Sequence, residues 1–130
     1  MAVQREVIGG PDVPATIGPY SPGVRAGDFL YVSGQAGIDP ATGEPGGPTL
    51  AEQARQAMRN VEAVLRAGGS RPELVVNVTV LVADIGEFGE VNAVFAETFP
   101  SEPPARMTMQ VPLPLGLLIS IGCVALVESA

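Results

Sequence analysis

The 130-residue chain contains no lysine, no histidine and no tryptophan, and it has a single cysteine. Without lysine there is no Schiff base. Without histidine there is no Ser-His or Cys-His couple and no histidine metal site. One cysteine, Cys123, cannot close an internal disulfide, so nothing in the chain demands an oxidising compartment. All seven basic residues are arginines, scattered among 14 acidic ones, for a net charge of −7. A protein that tracks nucleic-acid phosphates needs a basic face, so no nucleic-acid partner is expected. Long apolar runs are also missing. The longest, Leu113 to Val127, has 15 residues, is broken by Pro114, Gly116 and Gly122, and falls short of the roughly 20 needed to span a bilayer. The start, MAVQREVIGG, lacks the charged-then-apolar pattern of a signal peptide. These absences lead to the expectation of a cytoplasmic protein with no membrane partner.

What remains is 46% apolar and only 16% charged, the balance of one compact domain over residues 1–130. The 16 glycines and 13 prolines gather at Gly9–Pro14, Gly18–Gly23, Pro40–Pro48, Gly68–Pro72, Pro100–Pro104 and Pro112–Gly116, marking turns between elements. From Thr49, the residues Leu50, Ala54, Ala57, Met58, Val61 and Leu65 recur at helical spacing, with Arg55, Arg59, Glu62 and Arg66 on the other face. Thr49 and Glu52 form a capping box, and Gly68-Gly69 end the helix. A second helix is predicted from Asp84, with Glu87 as box partner, turning Phe88, Val91, Val94 and Phe95 inward and ending before Pro100. Strands are predicted at Phe29–Ser33, Leu74–Val82, Arg106–Val111 and Leu117–Val127, rich in β-branched and apolar residues. The order is two or three strands, helix, strand, helix, strand, strand, with only Phe29–Ser33 placed among the first, which predicts an α+β domain with two helices on one face of a mixed sheet. The strand before the second helix and the one after it can pair in parallel through that crossover. Leu117–Val127 is apolar on both faces and needs cover on both. Its second face is covered either by another copy of the chain or by the chain's own loops.

Four places could carry chemistry. Arg106 opens a strand just after Pro103-Pro104, where its guanidinium can grip a carboxylate bidentately, or else be solvated or ion-paired. Ile17-Gly18-Pro19-Tyr20-Ser21-Pro22 is a stiff irregular loop presenting an aromatic hydroxyl, and it could equally be a plain connection. In Val32-Ser33-Gly34-Gln35 a strand ends in small residues that allow close approach of a ligand or of another backbone. Asn92, within the second helix, can bond a ligand or stitch the helix to a loop. Cys123, on an apolar strand with no base nearby, reads as inert. The glutamates at 52, 62, 73, 87 and 97 fall on caps, helix surfaces and element ends, and Gly43–Gly47 is a turn and not a phosphate loop.

In order along the chain, Ile17-Gly18-Pro19-Tyr20-Ser21, Leu30-Tyr31-Val32-Ser33-Gly34-Gln35, Asp39-Pro40-Ala41-Thr42-Gly43, Val91-Asn92 and Pro104-Ala105-Arg106 resemble the RidA/YjgF family over about Ile17 to Val127. The resemblance implies a chorismate-mutase-like fold, with a curved sheet, two helices on one face, and a homotrimer whose sheets form a central barrel with a ligand cleft at each subunit interface. It implies hydrolysis of 2-imino and 2-enamino acids to 2-keto acids and ammonia without metal or organic cofactor. Carried over residue by residue, Arg106 holds the substrate carboxylate, while Tyr20, Ser33, Gly34, Asn92 and Thr108 line the cleft. In one respect the chain departs from the family. The run Ile119-Ser120-Ile121-Gly122 puts Ser120 where deaminase members carry a water-activating glutamate. A hydroxyl can orient water but cannot take its proton near neutral pH, and a positioned general base is typically worth about 10²–10⁴-fold. Two functions stay open: a deaminase working with a Ser120-bound water, and a non-deaminating protein that binds a small carboxylate or handles (tautomerises or cyclises) a biosynthetic intermediate.

Overall fold

The structure, a computed structural model, describes residues 4–128. Its elements are β1 (Arg5–Ile8), β2 (Gly23–Ala26), β3 (Phe29–Ala36), α1 (Leu50–Ala67), β4 (Val75–Val82), α2 (Phe88–Thr98), β5 (Ala105–Gln110) and β6 (Ile119–Leu126). The strands form one six-stranded sheet in the order β1-β2-β3-β6-β4-β5. β4 and β5 pair in parallel across α2, and the other pairings are antiparallel. The expected α+β architecture is therefore present, a mixed sheet with two helices packed on one face.

Helix α1 forms where its apolar spacing and cap require. The Thr49 hydroxyl oxygen accepts from the Glu52 N–H at 3.2 Å, and the Glu52 carboxylate accepts from the Thr49 N–H at 3.3 Å. The Gly68 N–H closes the far end on the Val64 and Leu65 carbonyls. The helix buries Ala54, Ala57, Val61, Val64 and Leu65 against Leu30 and Val32 of β3 and against Ile119, Ile121, Cys123 and Ala125 of β6. Helix α2 adds Val91, Val94 and Phe95 to the same core beside Val78, Val80 and Val82 of β4.

Some boundaries differ from expectation, each for a local reason. Leu74 closes a 3₁₀ turn, Pro72–Leu74, before β4 begins. The Asp84 carboxylate accepts from the Gly86 N–H at 2.8 Å, which winds Ile85–Glu87 into a 3₁₀ turn with no capping box to Glu87, and α2 starts only at Phe88. Phe88 is 43% exposed and does not point into the core. Leu117 belongs to the turn preceding β6. β3 runs on to Ala36 through a bulge, with Ser33 and Gly34 together facing one residue of β6.

Along β6 the burial alternates. Ile119, Ile121, Cys123 and Ala125 lie under the helices, while Ser120, Gly122, Val124 and Leu126 face the other side. On that other side Phe29, Tyr31, Met107 and Met109 are also exposed. The chain's own loops do not cover it. Among the described residues no helix is long and apolar enough to cross a membrane.

Candidate functional site

The bulge in β3 shapes one half of the site. It sets Gly34 against Ser120, so close that a Cβ on Gly34 would lie 2.8 Å from the Ser120 Oγ. Only glycine there leaves the hydroxyl uncovered. The neighbouring Ser33 turns its own hydroxyl away, donating to the Ser21 carbonyl at 2.6 Å, while its N–H donates to the Pro22 carbonyl at 3.0 Å. These bonds tie down the Tyr20 loop, and Ser33 does not line the cavity beside it. Tyr20 is 44% exposed, and its hydroxyl oxygen accepts from the Ile17 N–H at 3.3 Å. Tyr20, Gly34, Asp39 and Ser120, with apolar walls from Ile17 and the Leu113–Leu117 segment, frame a cavity of about 430 Å³.

Three amides of α1 hold this cavity in shape, and sequence reading missed them. Gln53, Gln56 and Asn60 are 4%, 6% and 3% exposed. The Asn60 amide donates to the carbonyls of Ala36 (3.1 Å) and Ile38 (2.8 Å), and its oxygen accepts from Gln56 at 3.0 Å. Gln53 donates to the Gly47 carbonyl and accepts from the Leu118 N–H, both at 3.0 Å. Opposite walls of the cavity are thereby tied to one helix. The available signal was amides recurring at helical spacing on the side that also carries the apolar stripe.

The other half of the site lies at the β5 edge. Arg106 is paired in register with buried Val78 and so points to the helix face. Its guanidinium carbon sits 5.2 Å from the Phe88 ring centre and 4.8 Å from that of Phe95. One Nη donates to the Asn92 Oδ1 at 2.7 Å. Asn92 thus stitches α2 to β5 and fixes the guanidinium. The exposed position of Phe88 is explained as well, since its ring is a ledge for the cation. Among the described residues no carboxylate pairs with Arg106, nor with Arg5, Arg25 or Arg59, whereas Arg55, Arg66 and Arg71 are salt-bridged. Burial lowers the Arg106 pKa, from a value so high that the group stays charged. Two residues along, the Thr108 Oγ1 is buried and has no hydrogen-bond partner.

Register separates the two halves. Arg106 aligns through Val78 with Cys123 on the helix face, while Ser120 aligns through Leu81 with Met109 on the open face. Of the residues singled out from sequence, Tyr20, Gly34 and Ser120 come together, Arg106, Asn92 and Thr108 come together, and one chain does not join the groups. Cys123 lies under the helices, where burial pushes its thiol up to about 12. No group of three or more metal-ligating side chains occurs among the described residues.

Comparison with known proteins places these features in a wider set. The profile of the family described as Endoribonuclease L-PSP matches residues 11–127. The 2-iminobutanoate/2-iminopropanoate deaminase of Bos taurus is 44% identical over 93% of this chain and 89% of its own length. The crystal structure of RidA from an Antarctic Psychrobacter superposes with a TM-score of 0.90 at 33% identity, covering 94% of this chain and 99% of that one. The YjgF protein of E. coli superposes at 0.89 with 36% identity, covering 95% and 99%.

Proposed function

The chain belongs to the RidA/YjgF family, described also as Endoribonuclease L-PSP, and on that premise we propose that it hydrolyses 2-imino and 2-enamino acids to 2-keto acids and ammonia. The observation that carries this reading is the Arg106 guanidinium, charged, aligned by Asn92, backed by two rings and free of any acid among the described residues. An arginine left without a carboxylate of its own is ready to take one from a ligand. Since Arg106 and Ser120 leave opposite faces of the sheet, the complete site is built between copies of the chain, Arg106 of one facing Tyr20, Gly34 and Ser120 of the next. The uncovered apolar face of the sheet supplies the surface for a homotrimer with the sheets turned inward.

Held by its carboxylate, the substrate presents its C=N carbon to a water bonded to the Ser120 hydroxyl. The water oxygen adds to that carbon, the C=N electron pair moves to nitrogen, and the water proton ends on nitrogen. The hydroxyl proton of the resulting carbinolamine then passes to the nitrogen, the C–N bond breaks as the carbonyl forms, and ammonia leaves. Orientation by the guanidinium supplies the catalysis, and no organic cofactor or metal enters a step. A net charge of −7 without lysine or histidine argues against RNA as the substrate, despite the family's description.

An imine generated in situ by an amino-acid oxidase, with ammonia or keto acid as readout, tests the reading. Wild-type protein is expected to exceed buffer. Arg106→Ala is expected to lose about tenfold to a hundredfold in kcat/KM, the usual worth of a hydrogen-bonded charge. Equal rates for the two proteins would reject the assignment. A second reading, carboxylate binding without turnover, is favoured by one observation, the serine at position 120.

A further inference from the structure

Resting on the reading of Arg106 as the holder of the substrate carboxylate, we infer that Phe88 is a positioning residue, whose ring does for Arg106 what Glu97 does for Arg55 while leaving the donors of the guanidinium to the ligand. Arg55 shows the usual arrangement. Its Nε and one Nη donate to the two oxygens of Glu97 at 3.0 and 2.9 Å, so the fork that could grip an incoming carboxylate is already occupied. Arg106 is held differently. Phe88, Asn92 and Phe95 stand at i, i+4 and i+7 along α2, on one stripe of the helix. All three lie against the guanidinium, the rings at 5.2 and 4.8 Å and the Asn92 Oδ1 at 2.7 Å. One N–H is taken up, by a neutral oxygen, and no other side-chain hydrogen bond to Arg106 occurs among the described residues.

The two rings differ in what keeps them there. Phe95 is buried and lies against Phe99, with ring centres 5.0 Å apart, so packing alone accounts for it. Phe88 opens α2 with 43% of its surface exposed, and packing gives it little reason to be aromatic. The cation over its face does. Glu87 and Glu90, one position before it and two after, lie off the stripe, and neither bridges Arg106. A π face attracts the cation without accepting its N–H bonds in the plane of the fork, so the guanidinium is ordered before a ligand arrives and is offered to it uncontested. A carboxylate at position 88 would order the guanidinium too, but would compete with every carboxylate ligand.

Titration calorimetry with pyruvate, a stable keto acid, and heteronuclear NMR of the arginine Nε–H groups in ligand-free protein test this together. Seven arginines give few signals, and the one lost in Arg106→Ala identifies Arg106. Phe88→Leu keeps apolar bulk without a π face. It is expected to weaken pyruvate binding about twofold to thirtyfold, the worth of a cation–π contact, and to shift and broaden the Arg106 signal. Phe88→Tyr is expected to restore both. Phe88→Glu is expected to keep the Arg106 signal ordered and yet to bind pyruvate more weakly than Phe88→Leu. Either wild-type affinity or an unmoved Arg106 signal in Phe88→Leu overturns the inference, because the ring would then be filler. Wild-type affinity in Phe88→Glu overturns the argument from competition. If the signal moves as expected while wild-type protein binds no pyruvate, the carboxylate reading of Arg106 fails and its positioning by Phe88 stands.

Discussion

In the proposed reaction Arg106 and Ser120 divide the chemistry between them, and each is open to a single-residue test. Arg106 brings a full charge in fixed geometry. Ser120 brings a hydroxyl beside Gly34, where the longer side chain of a glutamate would extend into the cavity. Replacing Ser120→Glu restores a group able to accept the water proton, and imine hydrolysis is expected to rise by about 10²–10⁴-fold. An unchanged or lower rate, with keto-acid binding intact, would favour the binding-only reading. Cys123 makes a different forecast, because its thiol is moved from 9.0 up to about 12 by burial. Above pH 9 the unfolded chain loses this proton while the folded chain keeps it. The stabilisation is therefore complete below pH 9 and is lost as pH rises toward 12. Compared with Cys123→Ala, wild-type unfolding free energy from denaturant titration is expected to fall by about 1.4 kcal/mol more per pH unit in that window. Parallel pH profiles for the two proteins would mean the thiol is not buried as described.

At the scale of elements, α1 does more than cover the sheet. Its apolar stripe and capping box are local features, which is why Leu50–Ala67 was legible from Thr49, Glu52 and Gly68. Strands β1 and β2 were expected ahead of β3 but could not be placed, since four-residue segments among glycines and prolines show no alternation and exist through pairing, β1 with β2 and β2 with β3. Helix α2 was displaced to Phe88 because a carboxylate at Asp84 found a nearer N–H than Glu87's. The Arg106 position could be read from the Pro103-Pro104 turn before it, yet its aromatic ledge could not, because Phe88 looked like a core residue. The amides Gln53 and Asn60 escaped notice because their partners are backbone groups of remote loops. Asn60 is bonded to both Ala36 and Ile38, and Gly37 between them lies against the Gln53 backbone, where any Cβ would overlap it. Asn60→Leu leaves those carbonyls unsatisfied in a buried place, and it is expected to cost about 1–3 kcal/mol in urea unfolding. A loss below about 0.5 kcal/mol would show that the cavity wall holds without it.

Across the whole molecule, the parity of one sheet decides how many chains the proposed site needs. Side chains on a strand alternate, and the β4 register carries Arg106 to the helix face and Ser120 to the open one. No movement short of re-registering β5 brings them together within one chain, and that would turn every β5 side chain over. The faces could not be assigned from sequence, because they follow from pairing partners and not from periodicity. Complementation tests the consequence. Arg106→Ala spoils the guanidinium half and Tyr20→Ala the opposite half, so each homo-oligomer is expected to be impaired. After co-refolding equal amounts, a site is intact only where an Arg106 half from the Tyr20→Ala chain meets a Tyr20 half from the Arg106→Ala chain. Random mixing in a closed ring gives this for roughly a quarter of sites, and activity near a quarter of wild type is expected, along with a trimer by sedimentation. A mixture no more active than its parents would place both halves of the site in a single subunit, and the exposed apolar face of the sheet would then require a different partner.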